Sequence, residues 1–194
     1  TAVIGTPSTA RHNKLQRIQL FARNLPTDTD VSDWDWSYEY VTTTVFFDFD
    51  GVLTNNSVLI SDDGHEYVSC SRSDGIGFEL LKKIGINAFI LSTEVSSIVQ
   101  YRSTKMNVRA FNGITNKKDF LTNYCMENSI NIDTVAYIGN DLNDLDVMEM
   151  VGFKVCPSDA WVEIINISDL MLESKGGEGV VREFAAILRD EVRE

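Results

Sequence analysis

Asp48 and Asp50 stand two apart at the close of an apolar run, Thr44-Val45-Phe46-Phe47-Asp48-Phe49-Asp50-Gly51. Side chains two apart on a strand point the same way, so both carboxylates reach into one space beyond the strand's carboxyl end. Two acids on so greasy a strand are costly to bury unless positive charge lies between them. A divalent metal ion and a phosphate group would together account for the pair. Gly51 lets the backbone turn away sharply, and Thr54 suits a cap or a turn. Taken alone, Asp-x-Asp-Gly equally describes a strand ending in an acidic turn. Further polar groups narrow the choice. Ser92 follows the apolar run 87–91, Lys117 opens a helical stretch, and Gly139-Asn140-Asp141-Leu142-Asn143-Asp144 follows the apolar run 134–138.

The elements that must position these groups alternate. Strands are expected at 44–50, 87–91, 108–111, 134–138, 153–156 and 169–172, with helices near 75–83, 96–106, 117–128, 142–150 and 179–192. This alternation predicts an α/β fold, a Rossmann-like parallel sheet with helices on both faces. Such sheets bind ligands beyond the carboxyl ends of their strands. Asp48 and Asp50, Ser92, and Asn140 with Asp144 each lie at such an end, and Lys117 opens the helix after the strand at 108–111. Ser61-Asp62-Asp63-Gly64 between two β-prone runs predicts a hairpin leaving the sheet directly after the two aspartates. So placed, it serves either as a flap over the site or as a contact between subunits. His65 reads as a hairpin surface residue. Ser73-Asp74 is expected to cap the helix at 75–83.

The chain has 194 residues, 43% of them hydrophobic and 24% charged, which suits one globular domain and an appendage. Its formal net charge of −12 argues against nucleic acid and anionic membranes as partners. No apolar run approaches the roughly 20 residues of a membrane span, and no secretory signal is visible. Cys70, Cys125 and Cys156 are isolated, as expected of reduced thiols in a cytoplasmic protein. Residues 1–43 read as an N-terminal extension or linker: a short helix at 11–24, then Asp33-Trp34-Asp35-Trp36-Ser37-Tyr38-Glu39-Tyr40, whose alternating aromatics need a surface to cover them. The segment either packs on its own domain or links to an upstream one. Residues 44–194 form the expected catalytic domain.

Four motifs in order resemble the haloacid dehalogenase superfamily: Asp48-Phe49-Asp50, Ser92, Lys117, and the loop from Gly139 to Asp144. The resemblance implies that Asp48 attacks phosphorus and that Asp50 acts as general acid and then general base. It implies a magnesium ion held by Asp48, Asp50 (through its backbone carbonyl) and Asn140, with Asp141 and Asp144 supporting the loop. Ser92 and Lys117 would hold the phosphoryl oxygens. Asn140 stands where the family usually has Asp, so weaker metal binding is expected. Asp50-Gly51-Val52-Leu53-Thr54-Asn55, the hairpin, Ser73-Asp74-Gly75-Ile76-Gly77 and Gly176-Gly177-Glu178-Gly179 are similar to the small branch without a large cap domain. That branch contains the octulosonate 8-phosphate and nononate 9-phosphate phosphatases and the tail domains of some acylneuraminate cytidylyltransferases. Its members are typically homotetramers, with hairpins assembling the core.

Glu94, Arg102 and Lys105 resemble a set in the nononate branch, and Arg102 and Lys105, three apart, share a helix face. Ser73 and Asp74 join them as candidate substrate contacts. Octulosonate phosphatases usually carry Gly-Arg where this chain has Thr93-Glu94, and Arg where it has Glu178. The expected substrate is therefore a phosphorylated sugar acid, a nine-carbon, sialic-acid type 9-phosphate. The alternatives are the eight-carbon 8-phosphate and a non-catalytic tetramerisation tail.

Overall fold

The computed structural model describes residues 44–191. The expected extension at 1–43, with its helix and aromatic segment, lies outside them. A six-stranded parallel sheet has the order β5-β4-β1-β6-β7-β8. Its strands are β1 (Thr44–Phe47), β4 (Asn87–Leu91), β5 (Arg109–Phe111), β6 (Val135–Ile138), β7 (Phe153–Cys156) and β8 (Leu170–Met171). The helices are α1 (Ser73–Lys83), α2 (Ser97–Met106), α3 (Lys117–Glu127), α4 (Leu142–Met150), α5 (Val162–Ile167) and α6 (Val180–Glu191).

β1 is buried along its whole length, and its alternation divides the core in two. Val45 and Phe47 face a cluster with Phe78 and Leu81 of α1, Val99 and Met106 of α2, and Val180, Val181, Phe184 and Leu188 of α6. Phe46 faces the other cluster, with Leu121 and Cys125 of α3, Val147 and Met148 of α4, and Ile164 of α5. A sheet covered on both faces needs such continuous apolar strands. The rings of Phe78 and Phe184 meet Phe47 edge-on, at 5.3 and 6.1 Å between centroids.

The antiparallel hairpin of β2 (Thr54–Ile60) and β3 (Glu66–Cys70) leaves the sheet where expected, with Gly64 at φ 83° in its turn. It is the whole insertion between Thr54 and Ser73, and only α2 and β5 intervene between Ser92 and Lys117, so no large cap domain is present among the described residues. Two local expectations differ from the structure. Helix α5 was not foreseen. The helix at 75–83 starts earlier, at Ser73, with no side-chain cap at its N-terminus. Asp74 instead accepts the Val181 and Arg182 N–H groups at 3.0 and 3.3 Å, so it caps α6, far away in sequence.

Candidate active site

β1 pairs with β4 on one side and β6 on the other, with Phe47 opposite both Ile90 and Ile138. One step further, the Asp48 N–H still joins the ladder, donating to the Ile138 carbonyl at 2.9 Å. Ser92 and Asn140 each stand two residues beyond a partner of Phe47, so the register sets them on either side of the strand's exit. The backbone then turns: Leu53 and Thr54 both donate to the Phe49 carbonyl. Thr54 Oγ1 accepts the Gly51 N–H at 3.1 Å and lies 3.4 Å from Asp50 Oδ1. Gly51 has φ +80°, and a Cβ there would stand 2.0 Å from Asn140 Nδ2, so only glycine lets the two loops touch.

Lys117, at the first turn of α3, is buried with its ammonium 2.7 Å from both Asp48 Oδ1 and Asp144 Oδ1. Asp144 is saturated. Oδ1 also accepts the Tyr137 hydroxyl at 2.8 Å, and Oδ2 accepts the backbone N–H groups of Asn140 and Asp141 at 3.0 and 3.5 Å. Asp141 and Asp144 thus form a capping box on α4, which is how the loop holds its shape. Two carboxylates share one ammonium, so the cluster is short of positive charge. Burial, with the Asp144 charge behind it, pushes the Asp48 carboxyl up to about 8 although Lys117 opposes the rise. Burial pulls Lys117 down, but the Asp48 and Asp144 charges outweigh it and its pKa stands above the ordinary value.

Asp48 Oδ2 and Asn140 Oδ1 are buried without a hydrogen-bond partner. Unpaired buried oxygens are rare and call for an explanation. Two hard oxygen donors beside a cluster short of positive charge fit a divalent cation of the magnesium class. Among the described residues, no group of three His, Cys, Asp or Glu could hold a metal ion. An ion there would need donors beyond these side-chain types, and the unpartnered Asn140 Oδ1 is one that is available.

Asp50 is half-buried. Burial raises its pKa, and the nearby Glu94 charge raises it further. Glu94 is near enough for its charge to act on Asp50, and its Oε1 accepts the Ser96 N–H at 2.7 Å. Buried Ser92 accepts the Glu94 N–H at 3.0 Å through Oγ and keeps its own proton to donate. The remaining expected substrate contacts scatter. Arg102 is half-buried and donates to the Ser71 carbonyl, and Lys105 is exposed at the end of α2. Ser73 Oγ pairs with Ser71 Oγ at 2.6 Å, and Asp74 has no exposed surface. Arg102, Asp74 and Asp50 are nonetheless close enough that all three bear on the Cys70 thiol.

Thr54 holds the turn after the aspartates as expected, but Tyr137 was not expected at the site. Inside the run Val135-Ala136-Tyr137-Ile138 a tyrosine reads as core, and only the polar end of its ring hints otherwise.

The haloacid dehalogenase-like hydrolase family pattern matches residues 82–184. The chain is 30% identical over 145 residues to the 3-deoxy-D-manno-octulosonate 8-phosphate phosphatase of Salmonella typhi, covering 74% of this chain and 77% of the relative. Among solved structures, a Streptomyces avermitilis protein described as a HAD family hydrolase is 37% identical, with a TM-score of 0.73 over 75% of this chain and 84% of its own. The cobalt-bound deoxy-D-mannose-octulosonate 8-phosphate phosphatase of Haemophilus influenzae is 26% identical, with a TM-score of 0.73 over 78% of this chain and 90% of its own. The Moraxella catarrhalis octulosonate phosphatase, solved with magnesium, phosphate and KDO, shares the fold at 22% identity and a TM-score of 0.77 over 94% of this chain and 93% of its own. An enzyme is thereby shown, and the reading as a non-catalytic tail is not retained. This chain belongs to the haloacid dehalogenase-like hydrolases and is a phosphomonoesterase.

Proposed function

We propose that the protein is a magnesium-dependent phosphatase of a 2-keto-3-deoxy sugar acid phosphate. The observation that carries this is the buried Asp48, tied through Oδ1 to Lys117 at 2.7 Å while its Oδ2, like Asn140 Oδ1, is buried without a hydrogen-bond partner. Asp48, the backbone carbonyl of Asp50 and Asn140 would hold the ion, which supplies the positive charge that keeps Asp48 ionised beside an anionic phosphate.

An Asp48 oxygen attacks phosphorus, and the bond from phosphorus to the sugar oxygen breaks. Asp50, whose pKa burial and the Glu94 charge raise, gives a proton to the departing alkoxide. The Asp50 carboxylate then takes a proton from water. The water oxygen attacks phosphorus, and the bond to Asp48 breaks, freeing inorganic phosphate and restoring both acids. Lys117 and the Ser92 hydroxyl offset charge on the phosphoryl oxygens throughout.

Thr93-Glu94 and Glu178 favour the nine-carbon 9-phosphate, sialic-acid type substrate. Glu94 would accept hydrogen bonds from sugar hydroxyls; Arg102, bonded to the Ser71 carbonyl, and Lys105, exposed at the end of α2, would have to turn to meet the sugar acid's carboxylate. The eight-carbon 8-phosphate is the second reading, favoured by the activity for which the Salmonella typhi relative is named. Phosphate release from each compound, with and without magnesium, tests both. A preference for the nine-carbon compound is expected, and release from neither overturns the proposal.

A homotetramer is part of the same proposal. Val58, Leu59, Ile60 and Tyr67 on the hairpin are 52–71% exposed, a surface suited to burial by another subunit. A monomer in analytical ultracentrifugation would refute that part. Cys70 and Cys125 form no disulfide, and among the described residues no helix is long and apolar enough to cross a membrane. Thiols outside disulfides fit a cytoplasmic enzyme.

A further inference from the structure

The Tyr137 hydroxyl takes no part in these steps, yet it sits among their residues. Tyr137 lies on β6 with no exposed surface, in the core cluster shared with Phe46, Leu121 and Val147. A tyrosine in such a place costs stability unless its hydroxyl finds a partner. That partner is neither backbone nor solvent. It is Asp144 Oδ1, at 2.8 Å, the same oxygen that receives Lys117. The ring also lies beneath the ammonium, 6.0 Å from Nζ to its centroid. Burial and the Asp144 and Asp48 charges hold the phenol's pKa well above the ordinary value.

Backbone N–H groups fix only one end of the Asp144 carboxylate, Oδ2. The other end is held by two side chains, Tyr137 and Lys117. Lys117 ends a flexible stem and is itself what must be held, so the rigid ring of Tyr137 is the fixed point. Resting on the reading of Asp48 as nucleophile, we propose that Tyr137 is a positioning residue: it aims Asp144 Oδ1 at Lys117, so that the ammonium binds Asp48 Oδ1 and leaves Oδ2 for chemistry.

Tyr137→Phe in the full chain tests this, with p-nitrophenyl phosphate and magnesium as the probe. The expected result is kcat lower by about tenfold at a KM within about twofold, the size of one lost hydrogen bond to a charged group. In an Asp144→Asn background the same substitution should change kcat less than about twofold, because the path is already cut. An unchanged kcat in the single variant, or an equal loss in both backgrounds, overturns the proposal. If Asp144→Asn does not fold, a crystal structure of Tyr137→Phe decides. Lys117 Nζ displaced beyond hydrogen-bond reach of Asp144 or Asp48 supports the positioning role, and an unmoved ammonium refutes it. A wild-type protein that releases no phosphate would sink the reading of Asp48 instead, and the structural arm would still judge Tyr137.

Discussion

Replacing Asp74 by Asn separates an acid that holds the fold from those that do chemistry. Asp74 has no exposed surface, and its Oδ1 receives the Val181 and Arg182 N–H groups. Burial lifts its pKa from 3.8 to about 6, against the pull of those two N–H groups and of Arg102. The folded-state value lies above the unfolded one. The protonated acid therefore stabilises the fold fully below pH 3.8, and that stability is lost as the pH rises through about 6. A shift of about two pKa units corresponds to roughly 3 kcal/mol. Asn keeps an oxygen for the α6 N–H groups but cannot titrate. Urea unfolding of both proteins across that pH window measures the effect. The wild type should lose roughly 3 kcal/mol relative to Asp74→Asn between the acid and neutral ends. A stability difference that does not vary with pH would refute the reasoning, because it would mean the carboxyl titrates alike in both states.

Three further outcomes are expected. Lys117→Ala leaves Asp48 and Asp144 buried together with no cation, and should cost about 3–5 kcal/mol in denaturant unfolding at neutral pH; a loss below about 1 kcal/mol would show that the pair adjusts freely. Gly176→Ala places a Cβ 2.3 Å from the Gly51 carbonyl oxygen and 2.9 Å from that of Thr54. It should destabilise by about 1–3 kcal/mol and slow turnover, and an unchanged melting temperature would mean that the loop yields. Asn140→Asp adds a charge at a side chain whose buried oxygen has no hydrogen-bond partner and should tighten magnesium binding by about tenfold or more in calorimetric titration. No change there would put the ion elsewhere.

Much of the site could be read before the structure because its members sit at strand ends, where the apolar pattern breaks. Asp48, Ser92 and Asn140 each interrupt such a run, and each lies where parallel-sheet geometry puts ligands. Contacts between distant segments left no such mark. Asp74 looked like a local cap because acids near helix starts usually are. Its actual partners lie 107 and 108 residues away. The packing of Gly176 against Gly51 is equally invisible in a string of glycines. Helix α5 went unforeseen because Val162-Glu163-Ile164-Ile165-Asn166-Ile167 is short and β-branched, and its Trp161 cap makes no side-chain hydrogen bond.

The join between α1 and α6 also bears on how the chain is made. Phe47, directly before Asp48, rests on Phe184, and α6 supplies Val180, Val181, Phe184 and Leu188 to that side of the sheet. A ribosome delivers β1 long before α6. Until then one flank of the central strand stays bare, and sticky to other nascent chains. The domain can close only once α6 has been made, so a stop codon before α6 would leave an aggregation-prone product rather than a shortened enzyme.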